Sequence, residues 1–436
     1  MSGVIIIVYT TLYRKGGEQF PIVANTIARE KAEVGTAHEI IARAVESKRE
    51  VLAIFDEVAT AGKTIKEFHF VGHSGMYGPM FGTVAFPEQF SPYEWETMRI
   101  PFDSDAAAYF HCCRSARWFA PYFSRTFNVP AYGFFWYTTF SKSKTHYRYA
   151  SPAADVEKLF TIGCKGRKSH GLAASLVKFS GLMPAETMRR FEPQPPTGDT
   201  SYNQVAELYD ATFTDITVRQ DEWAWLNKHL PESRDLKVLD IGCGNGALLN
   251  ALASRISYGA GVDESEAILE KARRRNSAHQ HLEFKHVDSP ALPFVTATFD
   301  VAISLMSFRY LDWDPLLHEI RRVLKPDGKF LIVDMVTVPV KIKEYPQLIK
   351  DKLRTINAQK KNSEFDANLK KLVAHPDWKK MVEYNPIRSE HEMKWYLESR
   401  FPGQKMEVLN LGWNARIVAF DSGPVRHGLE VKLTYP

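Results

Sequence analysis

One segment constrains the fold more than any other. Residues 238–246 read Val-Leu-Asp-Ile-Gly-Cys-Gly-Asn-Gly, an apolar strand pattern followed by three glycines at alternate positions. Glycines let a chain turn sharply and approach a ligand closely, and a helix pattern begins at Ala247. Asp240 ends the strand, where a carboxylate would repel a dinucleotide pyrophosphate and favour a cationic ligand. The segment predicts a ligand-binding turn between strand and helix; a nicotinamide-binding turn and a turn without ligand are the alternatives.

The length and composition predict more than one domain. The chain has 436 residues, of which 44% are hydrophobic and 25% charged, and this excludes a wholly disordered or fibrous protein. Residues 191–200 contain three prolines and a glycine, which a continuous helix or central strand does not tolerate. We therefore predict a first domain over 1–190, a linker over 191–200 and a second domain over 201–436.

Both domains show an α/β pattern, because apolar strand patterns alternate with helical ones. In the first domain we predict strands at 4–9, 67–71, 106–110 and 131–137 and helices at 36–61 and 115–127. In the second we predict strands at 237–241, 258–262, 282–286, 301–304 and 329–334, helices at 221–230, 247–255, 266–275 and 315–324, and a hairpin within 406–421. Such alternation favours mostly parallel sheets.

Five elements of the second domain resemble the class I S-adenosylmethionine-dependent methyltransferases. The first is the glycine turn, and the second is Tyr-Gly-Ala-Gly-Val-Asp at 258–263. The others are Phe-Lys-His-Val-Asp-Ser at 284–289, the strand pattern at 299–304 and the helix and turn at 319–328. The segment Tyr-Asn-Gln-Val-Ala-Glu-Leu-Tyr-Asp at 202–210 is similar to the helix that covers the cofactor in many members. The resemblance implies a Rossmann-like sheet that carries a helical insertion.

The resemblance also implies the cofactor and its contacts. S-adenosyl-L-methionine would lie with its amino acid and sulfonium side against Asp240 and the turn glycines, and Asp263 would accept hydrogen bonds from the ribose hydroxyls. Asp288 would receive the adenine amino group. We expect no metal ion. The candidate cofactor-binding residues are Tyr209, Asp240, Gly242, Gly244, Gly246, Asp263, Asp288, Ser289 and Ser304.

The acceptor of the methyl group is less defined. Residues 305–313 follow the fourth strand, where this family places groups near the reacting methyl, and they make Arg309 and Tyr310 candidate acceptor contacts, with His318 either a contact or a surface residue. The insertion at 341–400 is helical in pattern. Its aromatic residues, Trp378, Tyr384, Trp395 and Tyr396, could line an acceptor site or form helix core. Its first part, 341–361, holds seven basic and two acidic residues, which we interpret as a solvated helix face; attraction of an anionic substrate or nucleic acid is the alternative.

The first domain carries a second candidate site. His73 follows an apolar strand in Gly-His-Ser-Gly, and Cys113 follows the next in His-Cys-Cys-Arg-Ser-Ala. Residues at the carboxyl ends of neighbouring parallel strands can converge, as thiolate chemistry requires. The arrangement resembles the caspase-like (clan CD) cysteine peptidases, which implies a His73/Cys113 dyad; a caspase-like shell without catalysis is the alternative.

Net charge and cysteine content indicate the expected partners and cellular compartment. A net charge of +5 over this length does not point to nucleic acid or membrane, and four cysteines do not form a disulfide framework, so we expect a cytoplasmic protein. The sequence predicts a methyltransferase that acts on a small-molecule or peptidic acceptor, with the first domain helping to recognise it. The alternatives are a bifunctional enzyme with His73/Cys113 peptidase activity and a non-catalytic interaction protein. The oligomeric state stays open.

Overall fold

The computed structural model describes residues 3–13, 17–148, 156–164, 184–194, 202–233 and 235–429. Its contacts divide the chain into two compact units, Met1–Pro196 and Thr197–Leu433. Of the predicted linker, residues 195–200 lie outside the described ranges, and Phe191 ends a strand. In the described part of the chain, no helix combines the length and the apolar composition that a membrane span requires.

The first unit contains a six-stranded sheet and four described helices. Its strands are β1 (Gly3–Tyr9), β2 (Glu39–Ala44), β3 (Thr64–Val71), β4 (Ser74–Gly75), β5 (Gly78–Pro79), β6 (Phe81–Gly82), β7 (Pro87–Glu88), β8 (Phe102–His111), β9 (Ala131–Gly133), β10 (Tyr137–Ser141), β11 (Phe160–Cys164) and β12 (Arg189–Phe191). Its helices are α1 (Phe20–Glu33), α2 (Lys48–Thr60), α3 (Pro92–Thr97) and α4 (Phe119–Phe127). The order in the main sheet is β12-β9-β8-β3-β1-β2, parallel except for β12.

Alternate side chains of the central strands explain why helices cover both faces of this sheet. Val4, Ile6 and Val8 of β1 point into a core with α2 and α4. Ile5 and Ile7 point the other way and pack against α1. A strand whose side chains are buried on both faces of the sheet has a continuous apolar sequence, as β1 does.

The helix expected at 36–61 is wrong in its first half. Residues of β2 pair with β1, beginning with Glu39 opposite Val4, and the helix starts only after Ser47, whose hydroxyl accepts a hydrogen bond from the Glu50 N–H at 3.3 Å. β2 is an edge strand with mostly exposed side chains, so its sequence lacks the apolar alternation of a buried strand. The strand expected at 131–137 is two strands, β9 and β10, and helix α1 was not predicted.

The second unit is a seven-stranded sheet with helices on both faces. Its strands are β13 (Lys237–Ile241), β14 (Tyr258–Asp263), β15 (Leu282–His286), β16 (Phe299–Leu305), β17 (Leu324–Thr337), β18 (Glu407–Leu411) and β19 (Ala415–Pro424). Its helices are α5 (Ala206–Thr212), α6 (Gln220–His229), α7 (Ala247–Leu252), α8 (Glu266–Arg275), α9 (Trp313–Val323), α10 (Tyr345–Lys361), α11 (Ser363–Ala374), α12 (Pro376–Tyr384) and α13 (Glu390–Arg400).

The strand order β15-β14-β13-β16-β17-β19-β18 is that of a doubly wound sheet in which only β19 is antiparallel to the rest. One face of the sheet packs on α9 and α13, and the other on α6, α7 and α8. The order of the first four strands changes direction between β13 and β16. In sheets of this kind the ligand crevice lies beyond the carboxyl ends of the strands at that point.

Candidate functional site

The glycine turn connects β13 to α7, and Gly242, Gly244 and Gly246 all have positive φ. A β-carbon on Gly242 would lie 2.4 Å from the Ser307 Cβ, and one on Gly244 would lie 3.0 Å from the Tyr209 hydroxyl. Other residues rarely adopt this backbone conformation, and here they would also lack space. The turn therefore requires glycine, and it brings its backbone close to Tyr209.

Two carboxylates flank this turn, because Asp240 and Asp263 lie on the neighbouring parallel strands β13 and β14. One oxygen of Asp263, Oδ2, accepts a hydrogen bond from the Gly244 N–H at 2.9 Å, and Oδ1 accepts one from the Ser265 N–H at 2.9 Å. These bonds fix the carboxylate beside the turn. Each oxygen keeps a lone pair for a further donor, so Asp263 can still accept bonds from a pair of hydroxyl groups.

Asp240 is the more unusual of the two carboxyl groups. Its side chain is buried, with 2% of its surface exposed, and no described residue makes a hydrogen bond to it. Burial, reinforced by the charge of Asp263, raises the pKa of Asp240 to about 8. A buried carboxyl group without a partner is costly when ionised. A cationic ligand at this turn would remove that cost, so the site fits the sulfonium and ammonium groups of S-adenosylmethionine.

Tyr209 lies on α5 and covers the turn. Its ring packs 5.5 Å from that of Tyr202 and 4.7 Å from that of Phe213, measured between centroids. Burial, together with the nearby carboxylates, raises the pKa of the Tyr209 hydroxyl, which therefore stays a neutral hydrogen-bond donor. The predicted lid residue and the glycine turn are thus brought together.

The remaining predicted cofactor residues differ in their surroundings. Asp288 lies two residues beyond β15 with an exposed side chain, and Ser289 is half-buried beside it. Ser304 is fully buried in β16, and its hydroxyl is 2.7 Å from the Ser307 hydroxyl, which donates to the Ile241 carbonyl at 2.7 Å. Ser304 therefore helps to hold the loop after β16 against the end of β13.

Arg309, a predicted acceptor contact, makes several contacts within the protein. Arg309 is buried and forms an ion pair with Asp334 of β17, and the same carboxylate accepts the Arg309 backbone N–H at 2.6 Å. The guanidinium also lies over the ring of Tyr310, 4.3 Å from its centroid. Arg309 therefore anchors the segment that carries Tyr310. The Tyr310 side chain is half-buried and lies near Tyr202.

The aromatic candidates of the insertion separate into two groups. Trp378 of α12 packs on Tyr202 at 5.8 Å, and Tyr202 packs on Tyr310 at 6.4 Å, so these three rings adjoin Tyr209. Tyr396 is buried in the core against Trp313 at 4.6 Å. Trp395 of α13 packs on His391, and Tyr384 ends α12. The side chain of His318 is exposed.

Sequence reasoning missed residues that assemble the site. The Asn245 side-chain amide donates to Asp210 at 2.9 Å and to the Phe213 carbonyl at 2.9 Å, which ties the end of α5 to the glycine turn. Asn245 lies within the glycine motif, and this position is the sequence feature that could have identified it as a site residue. Nothing in the sequence links Ser307 to Ile241. Among the described residues, no cluster of three or more His, Cys, Asp or Glu side chains is arranged to bind a metal ion.

The candidate site of the first unit lies beyond the ends of two neighbouring strands. His73 and Cys113 follow the neighbouring parallel strands β3 and β8. The Cys113 sulfur accepts a hydrogen bond from the Thr138 N–H at 3.3 Å and lies 3.2 Å from the Thr138 hydroxyl. The His73 ring packs edge-on against Tyr13 and Phe20. A dyad would require a hydrogen bond between the His73 imidazole and the Cys113 sulfur.

A family model described as a methyltransferase domain matches residues 238–328, which include the glycine turn and Asp263. Curated relatives match the same region. A demethylmenaquinone methyltransferase of Clavibacter sepedonicus is 34% identical over 143 residues, which are 32% of this chain and 58% of that protein. A sterol 4-C-methyltransferase of Caenorhabditis elegans is 31% identical over 141 residues, 30% of this chain and 41% of that protein. The chain spans about half the length of the curated relatives it matches.

Solved structures of methyltransferases also match. An S-adenosylmethionine-dependent methyltransferase from Mesorhizobium loti is 30% identical with a TM-score of 0.25, covering 27% of this chain and 53% of that one. One from Aquifex aeolicus is 17% identical with a TM-score of 0.34, covering 52% of this chain and 99% of that one. The family model and the curated relatives converge on the strand, turn and carboxylates described above. Residues 238–328 of the second unit are therefore similar to a methyltransferase domain.

Proposed function

We propose that this chain transfers the methyl group of S-adenosylmethionine to an apolar small-molecule acceptor. The observation that carries the proposal is the buried carboxyl group of Asp240, which has no described partner and lies beside a turn that admits only glycine. A neutral ligand would leave the ionised form of Asp240 uncompensated and the carboxyl group protonated, whereas a sulfonium or ammonium group would stabilise the ionised form.

The residues around the turn would bind and orient the cofactor. Asp263 would accept the ribose hydroxyls, and Asp240 would face the cationic methionine moiety. The neutral Tyr209 hydroxyl would donate a hydrogen bond from the lid. When bound, S-adenosylmethionine supplies an electrophilic methyl group on its sulfonium sulfur. The protein then contributes mainly alignment of the acceptor and exclusion of water, which are the principal requirements of an in-line displacement.

Three aromatic rings near Tyr209, which we call the lid rings, support an apolar acceptor. Tyr202, Tyr310 and Trp378 form an aromatic cluster that adjoins Tyr209, and aromatic side chains bind flat apolar groups well. The relatives' names point the same way, since one acts on demethylmenaquinone and another on a sterol. A peptidic acceptor recognised by the first unit is the alternative.

The proposal is tested by incubating the full-length protein with methyl-labelled S-adenosylmethionine and a panel of ring-hydroxylated quinones, phenols and sterols. We expect label to appear in the organic extract, and Asp263→Ala to reduce the rate at least about tenfold because the ribose loses its anchor. Asp327→Ala changes an exposed carboxylate in the first part of β17 and serves as the matched control. Label that stays with the cofactor for every acceptor, including peptides, would contradict the proposal.

A second candidate function rests on the first unit. We propose it as a caspase-like thiol hydrolase in which Cys113 attacks a peptide carbonyl and His73 passes the thiol proton to the leaving amine, with water then releasing the acyl group. The positions of both residues after neighbouring parallel strands support it, and the Thr138 N–H would stabilise a Cys113 thiolate.

Alkylation by iodoacetamide at several pH values tests this second function. We expect Cys113 to react at neutral pH and His73→Ala to slow the reaction. Cys112 is the matched control, since burial raises the pKa of its thiol to about 12. Equal rates of Cys113 alkylation in the wild type and in His73→Ala would show that the two residues do not act together.

A further inference from the structure

Helix α10 carries a row of apolar side chains that point into solvent. With Ile342 of the preceding turn, the row occupies positions 342, 345, 349, 353 and 356, at intervals of three or four residues, which place it on one face of the helix. The exposed fractions are 90% for Ile342, 42% for Tyr345, 59% for Ile349, 59% for Leu353 and 38% for Ile356. We call these five residues the exposed stripe.

A different face of α10 packs the helix against its own unit. Leu348 and Asp351 are buried, with 3% and 2% exposure. The Asp351 carboxylate accepts the Leu411 N–H of β18 at 3.0 Å and the Gln347 amide at 2.8 Å. The helix therefore already packs against its own unit through Leu348 and Asp351. The exposed stripe is a separate apolar face, and it points into solvent.

An exposed tryptophan extends the exposed stripe. Trp413, in the turn between β18 and β19, is 57% exposed, and its ring lies edge-on to that of Tyr345 with centroids 6.1 Å apart. The Lys352 ammonium lies 5.9 Å from the Trp413 ring centroid. Tryptophan and tyrosine next to lysine are the side chains that favour the boundary between water and lipid.

Unpaired positive charge borders the exposed stripe. In the described part of the chain, Lys343, Lys350, Lys360 and Lys361 are exposed and have no carboxylate partner. The two acids of this segment are already engaged, since Glu344 pairs with Arg416 and Asp351 faces β18. The surface is thus apolar along its centre and basic at its edges.

We propose that this face of α10 binds an anionic lipid surface. A helix with an apolar face and flanking lysines lies in the membrane interface, where the apolar residues enter the acyl boundary and the lysines contact anionic headgroups. A second copy of the chain fits less well, because it would bring the same lysines against one another. The sequence alone favoured a solvated face and no membrane partner; the outward direction of the exposed stripe is visible only in the fold.

The lipid surface would also supply the acceptor. Helices α10, α11 and α12 follow one another in the insertion, and α12 carries Trp378 of the lid rings. A helix held at the interface would place those rings close to molecules dissolved in the bilayer. This part of the inference, that the acceptor is a membrane-dissolved molecule, rests on the proposed function.

Co-sedimentation of the full-length protein with vesicles tests the lipid-binding surface. We expect vesicles of equal parts phosphatidylglycerol and phosphatidylcholine to bind at least tenfold more tightly than phosphatidylcholine alone, and Ile349→Glu/Leu353→Glu to reduce binding at least tenfold. Lys350→Glu/Lys361→Glu should remove the preference for the anionic lipid. Val295→Glu introduces the same charge at a residue that is 78% exposed elsewhere in the second unit, and it should bind as the wild type does.

Three results would overturn the lipid-binding surface. They are no binding of the wild type to anionic vesicles, equal binding by Ile349→Glu/Leu353→Glu, and a dimer in analytical ultracentrifugation that this variant dissociates, which would make the face a protein interface. Calorimetry with S-adenosylhomocysteine on the same proteins separates the two proposals. A variant that no longer binds vesicles but still binds S-adenosylhomocysteine is folded. If the wild type binds vesicles but not S-adenosylhomocysteine, the lipid-binding surface is supported and the methyltransferase proposal fails.

Discussion

Asp240 and Asp263 end neighbouring parallel strands on either side of one glycine turn, and their surroundings make them unequal. Asp263 accepts two backbone N–H groups, whereas Asp240 is buried without a described hydrogen-bond partner and has a pKa raised to about 8. One carboxylate is therefore held ready for neutral hydroxyl donors and the other for positive charge. This difference in surroundings matches the two chemical ends of S-adenosylmethionine.

The first prediction concerns stability without cofactor. The raised pKa means that the folded state keeps a proton on Asp240 which the unfolded chain releases near pH 4, so Asp240 lowers stability progressively as the pH rises from about 4 to about 8. Asp240→Asn removes this effect. We expect the variant to gain about 1–3 kcal/mol over the wild type at pH 8 and little at pH 4, as measured by urea unfolding. A gain that is independent of pH would contradict a protonated Asp240.

The second prediction concerns the buried ion pair of Arg309 and Asp334. Asp334→Ala leaves the guanidinium charge buried without its carboxylate and should cost about 3–5 kcal/mol in the free energy of unfolding. Replacing both residues, as Arg309→Met/Asp334→Leu, should recover most of that loss. Urea denaturation measures both changes. An unchanged free energy of unfolding in Asp334→Ala would contradict a stabilising role for this ion pair.

The third prediction concerns the lid rings. Trp378→Ala opens the cluster with Tyr202, so we expect KM for an apolar acceptor to rise about tenfold while the Kd for S-adenosylhomocysteine changes less than twofold. Trp395→Ala is the matched control, because this tryptophan lies on α13 and packs on His391 with ring centroids 4.8 Å apart. Equal effects of the two substitutions would show that the lid rings do not form the acceptor site.

Much of the second unit follows from local pattern. The helix and strand that follow the second carboxylate, Glu266–Arg275 and Leu282–His286, have the predicted bounds, and the Ser265 hydroxyl caps the helix by accepting the Ile268 N–H at 3.3 Å. The glycine turn and Asp263 are equally local signals. The need for glycine in the turn and the carboxylate of Asp263 can both be recognised from a few neighbouring residues of the sequence.

The features that escaped prediction depend on distant partners. Arg309 acquires its role from Asp334, which stands 25 residues later, and β2 becomes a strand because β1 offers an edge. The direction of the exposed stripe depends on which face of α10 meets β18, and spacing alone gives two candidate faces. Tertiary contacts decide each of these, so a local pattern does not contain them.

Titration of the full-length protein with S-adenosylmethionine in a calorimeter tests the central claim most directly. We expect one molecule of cofactor to bind per chain, and Asp263→Ala to weaken binding at least about tenfold while Asp327→Ala leaves the Kd unchanged. Absence of heat with the wild type, or an unchanged Kd for Asp263→Ala, would contradict the assignment of the glycine turn and its two carboxylates as the cofactor site.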